Sequence, residues 1–183
     1  KDIDEIIKTR TQEQENAARI LGVDQVQYLH EPDGYLSPNI LVRRKVVRVI
    51  REVKPDIVVT CDPTNYYLQD TRINHPDHRA AGQITIDSVF PAVQNQAFYS
   101  DLAINGHLYP HQIKELWLSL PLKPNIKINV TKYWPKKMEA LHAHKSQIGD
   151  IKEFDLHMLA RRLKGSNKNK PIFEETFHRI LLQ

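Results

Sequence analysis

Apolar positions recur along the chain at two spacings, and the switches between them mark out the elements. From Asp2 to Val23, residues Ile3, Ile6, Ile7, Ala17, Ala18 and Leu21 fall at helical spacing, with Gly22 placed to stop the helix. Val26 and Tyr28 then alternate within QVQYLH as a short strand does. Residues 31–38, EPDGYLSP, are dense in turn formers. Ser37 followed by Pro38 predicts a helix start, with serine as cap and proline in the first turn. That helix runs through NILVRRKVVRVIREVK and ends before Pro55. The β-branched run DIVVTC, residues 56–61, predicts a buried parallel strand. An irregular polar stretch, DPTNYYLQDTRIN, leads into the helical HRAAGQITIDSVFPAV, with Pro91 late in the pattern. ELWLSL and IKINV read as strands, and PKKMEALHAHKSQ as a helix with Pro135 in its first turn. EFDLHMLARRLKG is another helix ending at Gly165, and IFEETFHRILLQ fits either strand or helix.

This alternation of strand and helix predicts one α/β domain over residues 1–183, a Rossmann-like, mostly parallel sheet with helices on both faces. In such sheets, sites form where loops leave the carboxyl ends of strands. The segment from Asp62 to His78 leaves the strand DIVVTC and is therefore where a site is expected.

Composition narrows the function classes. A hydrophobic content of 40% and a charged content of 26% are ordinary for a globular chain, and no apolar run reaches the length of a membrane span. A single cysteine, Cys61, excludes an internal disulfide framework and suits a reducing cytoplasm. Net charge is +4, with one basic cluster, RRLKGSNKNK, at residues 161–170. A nucleic-acid binder needs a longer basic stripe with interleaved aromatics, so the cluster reads as a solvated loop. Six glycines, none clustered, argue against a phosphate-cradling loop.

The candidate chemistry lies in RINHPDHRAAG, residues 72–82. Pro76 fits the first helical position and pushes His75 toward an extended backbone, which leaves His78 in the first turn. Two residues so spaced can aim at one volume, as metal ligation or paired acid/base work requires. Asp77 can orient a histidine by accepting its second N–H, or simply favour the helix dipole. On spacing alone, a ligand pair and two surface histidines are both open, and a catalytic zinc site needs a third protein ligand. Arg10 and Glu13 form an i, i+3 helix pair, Asp33 sits in an Asp-Gly turn, and Asp62 directly follows a strand. His142 and His144, two apart, point away from each other on a helix.

Together RTQEQENAARILGV, EPDG, NHPDHRAAG, ALHAHKSQI and FEETFHRI resemble, in order and spacing, the LmbE/PIG-L-like zinc N-deacetylases. The resemblance covers nearly the whole chain. It implies a Rossmann-like hydrolase that uses zinc to remove the acetyl group from an N-acetylglucosamine-containing small molecule, releasing acetate and a free amine. It also implies His78 as a zinc ligand, His75 as the group that polarises the carbonyl oxygen, and Asp77 as the residue that tunes or orients His75. Arg10 and Asp33 resemble residues that hold sugar hydroxyls, and Gln147 a pocket wall. Homo-oligomers, trimers or hexamers, are common in the family. One departure stands out: the family's first strand ends in His-Pro-Asp-Asp, which supplies the remaining ligands and the general base, and this motif is absent here. The expectation is a domain lacking its N-terminal β-α-β portion. The alternative is a non-catalytic carbohydrate-binding or scaffold homologue without the metal half-site.

Overall fold

A computed structural model describes residues 2–68, 71–167 and 169–182. In chain order the elements are α1 (Ile3–Leu21), α2 (Ile40–Val53), β1 (Ile57–Cys61), β2 (Tyr67–Leu68), β3 (Arg72–Ile73), α3 (Pro76–Asp87), a π-helical turn (Ser88–Ala92), and α4 (Ser100–Gly106). They continue as β4 (Glu115–Ser119), β5 (Ile126–Asn129), α5 (Trp134–His142), α6 (Lys145–Ile148), α7 (Ile151–Leu159) and β6 (Glu174–Leu181). The chain divides into two compact units, one of Lys1–Tyr28 with Ile128–Glu175, the other of Leu29–Lys127 with Thr176–Gln183.

In the first unit α1 packs on α5 through Ala17, Ala18 and Ala140, whose small side chains let the helices approach. Gly22, at φ 78°, ends α1 in the left-handed conformation that glycine adopts without strain. The apolar face expected at the start of α1 is not a core face: Ile3, Ile6 and Ile7 are exposed, and the buried positions are Glu13, Ala17 and Ala18. The strand expected in QVQYLH is coil. Alternation alone makes no strand without a neighbour to share its hydrogen bonds, and here the Tyr28 hydroxyl donates to Thr11 O instead. Trp134 stacks flat on Phe173, 3.7 Å between centroids.

The four-stranded sheet runs in the order β1-β4-β6-β5. It is mixed rather than mostly parallel. β1 and β4 are parallel, Ile57 opposite Glu115 through Cys61 opposite Ser119, whereas β6 runs antiparallel to β4 with Trp117 opposite Arg179. Cross-strand side chains support that pairing: the Arg179 guanidinium donates to both Glu115 oxygens at 2.8 and 2.5 Å, and Trp117 packs on Phe177. β1 is also not buried on both faces. It is an edge strand, with Ile57 46% and Val59 57% exposed.

The core of the second unit gathers Val47 and Ile50 of α2, Val89 and Ala92 of the π turn, and Leu116 and Leu118 of β4. Beside it the fully buried Arg51 guanidinium donates to the carbonyls of Val93, Ala92, Asn95, Phe98 and Leu108. These bonds satisfy carbonyls that irregular backbone would otherwise leave unpaired, while burial pushes the Arg51 pKa down. α2 starts later than the Ser37-Pro38 signal suggests, because Asn39 is the cap, its Oδ1 accepting from Leu41 and Val42 N–H. The stretch expected to be irregular contains the β2–β3 hairpin, Tyr67 opposite Ile73, and Gln69 and Asp70 of that stretch lie outside the described residues. Of the basic cluster, Arg161, Lys164 and Lys170 are exposed, in agreement with a solvated loop, and Lys168 lies outside the described residues. Among the described residues no helix is long and apolar enough to cross a membrane.

Candidate active site

Helix α3 starts at the carboxyl end of β1, and its closeness to that strand depends on Gly82. A Cβ there would lie well under 3.0 Å from the Cys61 carbonyl oxygen and 3.1 Å from Pro63 Cδ. The missing side chain lets the helix seat directly on the strand end. Its first turn therefore sits where the sequence places a site.

His75 is the N-cap of α3, extended at φ −56° and ψ 134°, with Pro76 in the first turn as expected. His75 Nδ1 accepts the backbone N–H of Asp77 at 3.2 Å. An accepting Nδ1 carries no proton, so Nε2 carries it and is a donor. His78 lies one turn on, its ring 5.4 Å from that of His75 and tilted by 44°. Its Nδ1 is 3.3 Å from Asn74 Oδ1. Both histidines are exposed, and they converge rather than splay.

Asp77 acts differently from the sequence expectation. Its carboxylate accepts from Gly34 N–H at 2.6 Å and Leu36 N–H at 3.3 Å, and it reaches His75 through its own backbone N–H. A carboxylate in the first turn of a helix points outward, and the 33–36 turn, distant in sequence, presents two N–H donors there, with Gly34 at φ 84°. Asp33 is thereby held beside the start of α3. Upstream, Lys45 anchors the same segment by donating to Leu29 O at 3.1 Å and pairing with Glu31 at 2.6 Å.

Asp62 is nearly buried and fully engaged, its oxygens accepting from Thr64 N–H, Thr64 Oγ1 and Leu122 N–H at 2.8, 2.6 and 2.9 Å. Burial pushes its carboxyl up, and these hydrogen bonds more than offset that, leaving the pKa below the ordinary aspartate value. It cross-links the loops after β1 and β4. Sequence reasoning passed over Asn74 and Asn65, whose only signal is amide side chains between a strand and the histidine motif.

Arg10 and Gln147 belong to the other unit, on α1 and α6. There Glu13 is buried and accepts from Ser146 N–H and Oγ, each at 2.7 Å, so the segment carrying Gln147 is tied to α1. Those two bonds hold the Glu13 carboxyl below its ordinary value, against the upward push of burial. His142 Nε2 is 2.7 Å from Asp155 Oδ1, and His144 lines a cavity of about 460 Å³ with Ala17, Leu21, Val26 and Leu141. That cavity contains neither His75 nor His78.

Among the described residues no group of three or more His, Cys, Asp or Glu is arranged to hold a metal ion. The carboxylates of Asp62 and Asp77 are occupied by backbone donors. The donors present do not by themselves make up a zinc site.

A family model described as PIG-L, GlcNAc-PI de-N-acetylase, matches residues 1–89, which include the whole histidine cluster. The chain is 35% identical to diacetylchitobiose deacetylase of Thermococcus kodakarensis over 143 residues, 78% of this chain and 51% of that one. This chain belongs to the LmbE/PIG-L-like deacetylase family. A second relative of this PIG-L member is the probable N-acetyl-α-D-glucosaminyl L-malate deacetylase 2 of Bacillus anthracis, 30% identical over 75% of this chain and 55% of that one. The fold matches the structure of N,N'-diacetylchitobiose deacetylase from Pyrococcus horikoshii with a TM-score of 0.83, at 27% identity, covering 97% of this chain and 65% of that one. The PIG-L chain thus spans about half the length of the curated relatives it matches.

Proposed function

We propose that this PIG-L domain serves a hydrolase that removes the N-acetyl group from an N-acetylglucosamine-containing small molecule, yielding acetate and a free amine. The observation that supports this reading is the paired orientation of His75 and His78 on the first turn of α3, rings 5.4 Å apart, within the segment that the family model matches. Attack on an acetamide carbon moves negative charge onto the carbonyl oxygen, and a donor already aimed at that oxygen lowers the barrier. His75 Nε2–H is that donor, fixed by the Asp77 backbone N–H on the other ring nitrogen. His78 would give one imidazole to a zinc ion, and a complete zinc site would need further donors beyond those of this cluster. Asp77 holds the 33–36 turn, and Asp33 on that turn is the residue that would meet a sugar hydroxyl. A cytoplasmic enzyme that assembles as a homo-oligomer, a trimer or hexamer, completes the reading.

The test is acetate release by the full-length protein supplied with zinc, from N,N'-diacetylchitobiose, N-acetylglucosaminyl malate and N-acetylglucosaminyl phosphatidylinositol in parallel. Equimolar acetate and free amine from one of them is the expected result. Binding of the sugars without any acetate would contradict the reading and identify a non-catalytic carbohydrate-binding homologue.

A further inference from the structure

The imidazole of His78 is held by a chain of amide groups that crosses three loops. Asn65 lies in the loop after β1, and its Nδ2 donates to Leu120 O, in the loop after β4, at 2.8 Å. The backbone carbonyl of Asn65 accepts from Asn74 Nδ2, also at 2.8 Å. Asn74 Oδ1 then faces His78 Nδ1 at 3.3 Å. Asn74 is fully buried, its backbone N–H bonded to Tyr66 O at 2.8 Å and its carbonyl taken by the Arg79 guanidinium. Arg79 in turn lies over the Tyr66 ring, 4.5 Å from its centroid. The side chain has no room to exchange partners.

Chemistry fixes the direction of every link. A carbonyl oxygen only accepts, so the atom of Asn74 that meets Asn65 O must be the NH₂ group. The atom left to face His78 is then the amide oxygen, which also only accepts. His78 Nδ1 must therefore carry a proton, and in a neutral ring the lone pair resides on Nε2. His75 has the opposite assignment, its Nδ1 accepting and its Nε2 carrying the proton. The two neighbouring rings thus offer one lone pair and one N–H donor.

We infer that Asn74 is a positioning residue that locks His78 in its Nδ1–H tautomer, through the Leu120–Asn65–Asn74 relay, so that the lone pair is on Nε2 of a ring 5.4 Å from that of His75. This deepens the proposed function and rests on it for the use made of the two nitrogens, but the tautomer itself does not depend on any activity. The pair would accordingly offer one nitrogen lone pair to a cation and one N–H donor to a hydrogen-bond acceptor such as a carbonyl oxygen.

The tautomer is read directly by long-range ¹H–¹⁵N correlation spectra of the ¹⁵N-labelled chain near pH 8, above the ordinary imidazole pKa of about 6.5. A His78→Gln spectrum assigns the signals. The expected wild-type result is a protonated Nδ1 and an unprotonated Nε2 for His78. A protonated Nε2 would overturn the inference. Asn74→Leu removes the acceptor facing the ring and should lose the Nδ1–H signature. If Asn74→Leu folds and retains that signature, Asn74 is not the controlling residue. If it does not fold, the wild-type spectrum decides. A correct wild-type tautomer in a protein that releases no acetate would leave this inference standing and remove only the proposed reaction.

Discussion

Replacing Gly82 with alanine separates two physical effects that pull in opposite directions. Within a helix interior, alanine is more favourable than glycine by about 1 kcal/mol, so propensity alone predicts a more stable protein. Against this, the new Cβ would overlap the Cys61 carbonyl oxygen and stand 3.2 Å from the Cys61 carbonyl carbon and 3.1 Å from Pro63 Cδ. Both Cys61 atoms are backbone of β1, paired in register with β4, and cannot rotate away. Relief requires α3 and β1 to part by roughly 1 Å, an overpacking cost of about 1–3 kcal/mol. With backbone on one side and a proline ring on the other, the upper half of that range applies, and the net is a loss of about 1–2 kcal/mol. For a chain of this size that lowers Tm by roughly 2–8 °C. His75 and His78 ride on α3, and a displacement of ~1 Å at reacting groups costs on the order of 100-fold in rate. Thermal unfolding by circular dichroism and acetate release, measured on the same preparation, check both parts. A variant as stable as wild type or more so, with unchanged activity, would refute the close-approach account.

Three further changes test other parts of the structure. Asp77→Ala removes the acceptor of the Gly34 and Leu36 N–H groups; a loss of about 1–2 kcal/mol in urea unfolding is expected, with a raised KM as Asp33 loses its hold. Arg51→Met strands carbonyls that the guanidinium now satisfies, and should lower the unfolding free energy by at least ~3 kcal/mol, read from the urea midpoint. Glu13 has a carboxyl pKa depressed in the folded chain, so it adds stability present above its ordinary value of 4.5 and lost as the pH falls through the folded value. The stability gap between wild type and Glu13→Gln should hold from pH 7 to 5 and close below 4.5, which denaturation across that range will measure.

The parts of this molecule that were legible in its sequence are those governed by neighbours in the chain. Gly22 stops α1, Pro76 opens α3, and DIVVTC forms β1, because each depends on local backbone chemistry. The convergence of His75 and His78 follows from the same helix start. What was not legible depends on distant partners. The antiparallel pairing of β6 with β4 joins segments far apart in the chain, as the Glu115–Arg179 pair, 64 residues apart in sequence, shows. Val26 and Tyr28 alternate as strand residues do, but QVQYLH is coil. The Asp77 carboxylate meets Gly34, 43 residues away, so its role in holding a turn has no signature within HPDH. Asn39 and Ser37 are both competent caps, and only the bonds that Asn39 makes with Leu41 and Val42 decide between them. Asn74 reads as one more polar loop residue until its buried amide is seen between Asn65 and His78.

If the two adjacent imidazoles do different work as proposed, zinc content and acetate release will separate His75→Ala from His78→Ala of the full-length protein. The account predicts that His75→Ala keeps its metal while turnover falls by roughly 100- to 1,000-fold, and that His78→Ala loses the metal together with activity. Equal metal content in the two variants would contradict it.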